Sequence, residues 1–172
     1  MRRYLEFLHP IGAREFLKHH ATTSVAPTCD MAALRPIRAS LSTQDYWQLT
    51  EHRRRCEDLG GPLFMRLSRL IRAKLADAEV VSSDELASDV VTGRARVSFT
   101  VDRRRPETRT LYHWGYPDRE RNRLPVGTFL GVTLIGMSAG QHMRLLDGTR
   151  VAGDLQVLAV HAQGAACDTA HD

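Results

Sequence analysis

Between residues 42 and 75 the apolar positions repeat every three or four residues; after residue 94 they repeat every two. The first period belongs to helices and the second to half-buried strands. Ser42 opens the first helix, and the run S-T-Q-D sets Asp45 three residues after a capping hydroxyl. Tyr46, Leu49, Arg53 and Cys56 then follow one face, with Trp47 on its flank. Leu59-Gly60-Gly61 breaks the pattern, and Pro62 stands where a first-turn proline belongs. Leu63, Phe64, Leu67, Leu70, Ile71 and Leu75 form a strong amphipathic stripe. Two helices joined by so short a turn are expected antiparallel, as a helical hairpin. Arms of ~16 residues extend ~24 Å at 1.5 Å per residue.

Beyond an acidic connector, 77–91, that holds a strand-like Val80-Val81, Ala95, Val97, Phe99 and Val101 alternate with Arg94, Arg96, Ser98 and Thr100. That alternation predicts a strand with one wet face. A polar hairpin loop from Asp102 to Thr108, containing Arg103-Arg104-Arg105-Pro106, leads to a second strand over Arg109–Trp114. The stretch Leu124–Leu145 carries Gly127, Gly131, Gly136 and Gly140 through an apolar run. It is too glycine-rich to span a membrane, which takes ~20 mostly apolar residues. We expect a short buried helix from Thr128 to Ile135 with Thr128 as its cap. Gly136 then stops the helix, and a strand leaves over Gln141–Leu145. Asp147-Gly148 marks a hairpin into a last strand, Asp154–Val160. The pattern divides the chain into an accessory arm (1–40), the helical hairpin (41–78), a strand-rich module (79–162) and a tail (163–172). Short sequential strands joined by hairpins place it in the α+β class, with about four antiparallel strands and one short helix.

Composition narrows the function classes only a little. The 172 residues are 42% hydrophobic and 26% charged, with a formal net charge of +4 and a pI near 9.3. That balance favours acidic partners such as nucleic acid or an acidic protein surface. Cys29, Cys56 and Cys167 are far apart and form neither a disulfide framework nor a zinc spacing. The positive start, MRRYLEFLHP, lacks an apolar core because of Glu6, His9 and Pro10, so no signal peptide is expected. The expected location is the cytoplasm.

Candidate chemistry is sparse. Arg53, Arg54, Arg55, Arg66, Arg69, Arg72 and Lys74 make the hairpin's outer face basic, either as a solvated face or as a docking surface. Glu57 and Asp58 sit at its tip. They read either as solvated tip residues or as two ligands for a divalent cation completed by another protein. His19-His20 point in different directions on a helix and have no further ligand at spacing, so no metal site is expected. No Ser-His-Asp pattern, phosphate loop or H-E-x-x-H motif is present, and no cofactor is implied. His113, His142 and His161 lie on or near expected strands without ligand spacing.

The order of parts resembles the GreA/GreB transcription elongation factors, particularly their C-terminal domain. The short-hairpin branch called regulators of nucleoside diphosphate kinase is the nearest in pattern. Three stretches carry the resemblance. The first runs from Ala78-Glu79-Val80-Val81 through Asp89-Val90-Val91 to Gly93 and Val97; the second is Leu111-Tyr112 with Asp118. The third is Thr128 to Gly140, where Leu134-Ile135-Gly136 and Ala139-Gly140 keep the family's rhythm of A-L-L-G and V-G-D. The resemblance covers 43–160 and implies an FKBP-like C-terminal fold docking on bacterial RNA polymerase at the secondary channel. Polymerase contact would fall to Gly127, Thr128, Phe129 and Asp118, although the family's Asp-Ser-Pro-like corner keeps only its hydroxyl here. In long-hairpin members two acidic tip residues help hold magnesium for cleaving backtracked RNA. The short arms here argue against cleavage and for a non-enzymatic regulator. A peptidyl-prolyl isomerase is the enzymatic alternative. Its pocket needs aromatics, and Phe99, Tyr112, Trp114, Tyr116 and Phe129 read more simply as core. Direct nucleic-acid binding through the arginine face and Arg103 to Arg105 is the third reading.

Overall fold

The computed structural model describes residues 38–114, 122–147 and 150–161. Of the expected features, the arm with His19-His20, Asp118 and its loop, Gly148 and the tail lie outside the described residues. The described residues from Ala39 onward group as one compact unit.

A short strand, β1 (Ser40–Ser42), runs directly into α1 (Thr43–Leu59), whose N-terminus is capped by the Ser42 hydroxyl accepting from the Asp45 amide at 3.0 Å. After Gly60-Gly61, α2 (Pro62–Asp77) starts on its proline, and β2 (Glu79–Val81) follows. β1 and β2 pair in parallel, with Leu41 opposite Val80. Parallel neighbours need a long crossover, and the two helices supply it. The strand-like Val80-Val81 therefore has a partner that Ser40–Ser42 did not advertise.

The main sheet has five strands in the order β5-β4-β3-β7-β6: β3 (Arg96–Val101), β4 (Glu107–Tyr112), β5 (Arg123–Pro125), β6 (His142–Asp147) and β7 (Arg150–His161). All its pairings are antiparallel except β4 with β5. This corrects the expectation of about four antiparallel strands. The run Arg123–Pro125 is too short to show a period, and its proline is tolerated because β5 is an edge strand. The second strand also begins two residues earlier than expected, and the last extends to Arg150 and His161. One extra residue, Leu158, bulges where Phe99 faces Val157 and Ser98 faces Ala159.

The short helix α3 (Phe129–Leu134) follows the expected design: Thr128 caps it and Ile135 ends it. Gly136 turns the chain at φ 78°, where an added Cβ would press on Leu41 at 2.9 Å. Val97, Phe99, Leu111, Leu155 and Val157 of the sheet share the core with Val126, Val132, Leu134, Ile135 and Met137, all almost fully buried. Each such side chain contributes on the order of 1.5–3 kcal/mol over an exposed one.

Candidate functional site

α1 buries Asp45, Leu49, His52 and Cys56. The sequence pattern put Tyr46 and Arg53 on that inner face; both are instead half-buried at its margins. The helix is rotated because two polar residues have partners inside. Asp45 Oδ1 accepts from the Gly93 amide at 3.2 Å and lies 2.9 Å from His113 Nε2, both side chains being buried. This contact ties α1 to the residue just after β4. Only glycine fits at 93, since a Cβ there would overlap the His113 ring and lie 2.6 Å from Asp45 Oδ1.

His52 stacks between two rings, 5.5 Å from His113 and 3.9 Å from Trp114 between centroids. Arg55 covers the Trp114 ring at 4.3 Å, and Trp114 also donates its indole N–H to Gln48. Neither ring nitrogen of His52 has a hydrogen-bond partner, nor does His113 Nδ1. Burial, with lesser repulsion from His113 and Arg55, pulls the His52 pKa down to about 3. The ring is therefore neutral at physiological pH. The sequence reading passed over this cluster; the one signal that could have found it is Asp45 and His52, seven residues apart on one helical face.

The hairpin-tip candidates separate. Glu57 Oε1 accepts from the Ser68 hydroxyl at 2.9 Å and lies 3.4 Å from Arg53 and 3.2 Å from Arg72. Its carboxyl is held below the usual range, chiefly by the Ser68 hydrogen bond, and it links α1 to α2. Asp58 is exposed and 3.9 Å from Arg54. Among the described residues no group of three or more His, Cys, Asp or Glu is placed to hold a metal ion.

The basic face is interleaved with acid. Glu51 bonds both Arg54, at 3.0 Å, and Arg55, at 2.8 Å, and these bonds lower its pKa to about 2. Arg66 donates to the Pro62 carbonyl at 3.1 Å, and Arg69 is exposed. Lys74 does not belong to the outer face. Its ammonium turns inward to the Val132 and Thr133 carbonyls at 2.7 and 2.8 Å, capping the end of α3. The residue is half-buried overall, but lost hydration at the ammonium draws its pKa to about 7. The two carbonyl bonds act the other way, favouring the charge.

At the corner before α3, Gly127 is buried while Thr128 and Phe129 are half-exposed. The Thr128 hydroxyl donates to the Pro125 carbonyl at 2.9 Å and accepts from the Gly131 amide at 3.1 Å. It is fully used in holding the corner, which leaves Phe129 as the side chain with surface to offer. Cys56 is buried, which pushes its thiol up to about 11, and it is not a nucleophile. Among the described residues no helix is long and apolar enough to cross a membrane.

No protein-family model and no curated sequence matches the chain. Solved structures do. A prokaryotic transcription elongation factor GreA/GreB from Nitrosomonas europaea is 23% identical, covering 73% of this chain and 98% of that one, with a TM-score of 0.53. The GreA factor homologue Gfh1 of Thermus thermophilus is 13% identical over 73% of this chain and 99% of its own, with a TM-score of 0.33. Thermus aquaticus Gfh1 is also 13% identical, with the same coverage and a TM-score of 0.36. The first likeness shows a shared fold.

Proposed function

We propose that this chain is a non-enzymatic transcription regulator that binds bacterial RNA polymerase near its secondary channel and modulates elongation. The observation that carries the reading is the likeness to the Nitrosomonas factor, which extends over 98% of that chain. In this reading α1 and α2 are a short antiparallel hairpin, the sheet with α3 is an FKBP-like docking module, and the branch is the short-hairpin one. The exposed part of the corner, Phe129 with the backbone of Gly127 and Thr128, meets polymerase, and the resemblance assigns Asp118 to the same contact. With Glu57 engaged by Ser68, Arg53 and Arg72, the tip keeps one exposed carboxylate, Asp58. One carboxylate is a poor magnesium holder, so the protein competes with transcript-cleavage factors for the channel without promoting cleavage itself.

The experiment is retention of purified core polymerase on the immobilised protein, with a Gre factor as competitor and Phe129→Ala as the probe variant. The expected outcome is salt-resistant retention, displacement by the competitor, and about tenfold weaker binding for Phe129→Ala, the size of a modest interface anchor. Absence of retention at physiological salt would sink the reading, and stimulated cleavage in a stalled complex would overturn the non-enzymatic part.

A further inference from the structure

The hairpin from β3 to β4 turns on a strained pair. Among the described residues Asp102 (φ 52°) and Arg103 (φ 55°) are the non-glycines with positive φ, and the Arg104 amide donates back to the Val101 carbonyl at 3.0 Å. Positive φ at both central residues marks a type I′ turn, whose preferred pairs are Asn-Gly and Asp-Gly. The aspartate conforms to that preference. The arginine stands where glycine would fit without strain, since glycine has no Cβ to clash in the left-handed region. Stability is given up at position 103, and strain of this kind gathers at functional sites.

The turn around it is firmly held. The Asp102 amide donates to the Asp154 carbonyl at 2.8 Å, and Asp102 Oδ1 accepts from the Asp154 amide at 2.9 Å. Gly153 leaves room for that carboxylate, because an added Cβ would lie 2.8 Å from both of its oxygens. On the other shoulder the Thr100 hydroxyl donates to the Arg104 carbonyl at 2.7 Å.

The nearby acids do not reach the outer arginines. Asp102 is turned to the backbone, Glu107 holds Arg109 at 2.8 Å, and Asp154 stands opposite Arg144 in the β6–β7 register. Among the described residues neither the Arg103 nor the Arg105 guanidinium has an ion-pair partner, and both residues are exposed. From 102 to 107 the exposed run D-R-R-R-P-E offers no apolar side chain except Pro106. It lacks the apolar anchor that centres a protein–protein interface. It also lacks an aromatic ring on which an unpaired base could stack; Phe99, the nearest along the chain, is buried. Fixed cations with neither feature fit the phosphates of a duplex, where charge neutralisation alone supplies the affinity.

We propose that the turn over 101–106 is a contact for the phosphate backbone of double-stranded nucleic acid, with Arg103 and Arg105 each neutralising one phosphate. Contact is sequence-tolerant, because phosphates carry no base identity. It does not depend on polymerase docking at Phe129.

The test is fluorescence anisotropy of labelled duplexes of about 20 base pairs, two helical turns, one of DNA and one of RNA, with the full chain and no polymerase. Binding is expected at low salt to one or both, and the preferred duplex identifies the backbone. With DNA the log–log salt slope should be about 1.8, from roughly 0.9 for each of two phosphates. Arg103→Gly separates binding from folding. It relieves the strain, so its urea midpoint should rise, while binding weakens about fivefold or more and the slope falls by about 1. A higher midpoint with unchanged binding would overturn the proposal. Arg103→Lys, which keeps the charge, should bind nearly as the parent does. Arg105→Gln should weaken binding by a similar factor at an unchanged midpoint. The proposal also fails if neither duplex binds at low salt, or if a single strand of the same length binds as tightly. Displacement of the duplex by poly-glutamate of equal charge would overturn it too and assign the turn to an acidic protein. Loss of binding in Arg69→Gln, with the turn variants unaffected, would move the contact to the helix pair and overturn it likewise.

Discussion

Gly93 carries no side chain because His113 and Asp45 occupy the space a Cβ would need. Gly93→Ala is therefore expected to force Asp45 and His113 apart and cost about 3 kcal/mol, read as a lower urea midpoint with an unchanged slope. His52 makes the opposite case. Both ring nitrogens are buried without partners, and an unmet polar group costs about 1–3 kcal/mol. His52→Phe should keep the stack with Trp114 while removing that penalty, so stability at neutral pH is expected to hold or rise. The pH dependence follows from the direction of the shift. The folded pKa lies near 3, below the ordinary 6.5, so the unfolded chain binds the proton first. This contribution is full above pH 6.5 and is lost as pH falls toward 3, at up to about 1.4 kcal/mol per pH unit. Unfolding measured from pH 7 downward should show the acid limb in the parent and a shallower one in His52→Phe. An identical limb in both would remove His52 as its source. At this scale the sequence misled for a definite reason: periodicity weighs hydrophobicity, so a buried aspartate with partners 48 and 68 residues away and a buried histidine stacked on distant rings make no mark on it.

Elements were far more legible. Caps at Ser42 and Thr128, the proline start of α2 and the Gly136 stop all follow from local chemistry that needs no distant partner. The elements that were missed, β1 and β5, have three residues each and owe their existence to pairing. Lys74 sits between the two cases, since its place among the outer basic residues suggested solvent but the free carbonyls at the end of α3 drew it in. Lys74→Met keeps the stem and removes the donors, leaving the Val132 and Thr133 carbonyls unmet. The expected cost is about 2 kcal/mol in urea unfolding. Thr128→Ala, which removes the other end's cap, should cost about 1 kcal/mol. That loss complicates Thr128 as a docking probe, so Phe129 is the cleaner one.

At the scale of the molecule, polar links stand out where the helix pair meets the sheet. Leu49, Cys56, Leu67 and Ile71 are buried on the facing helices. The named bridges are Asp45 to Gly93 and His113, His52 to Trp114, and Lys74 to α3. Polar links of this kind break together when one partner goes, because the remaining group is left buried and unmet. Asp45→Ala strips the Gly93 amide and His113 Nε2 of their acceptor at once. Hydrogen exchange should then speed up through α1 and α2, while β3 and β7, paired through six residues each and backed by Val97, Phe99 and Val157, keep their protection. Uniform acceleration across helices and sheet would mean that the unit opens only as a whole. The expected split would instead mean that the helix pair can loosen against an intact sheet. In the proposed complex that would let the pair adjust inside a channel while Phe129 and α3 hold their place on the rim.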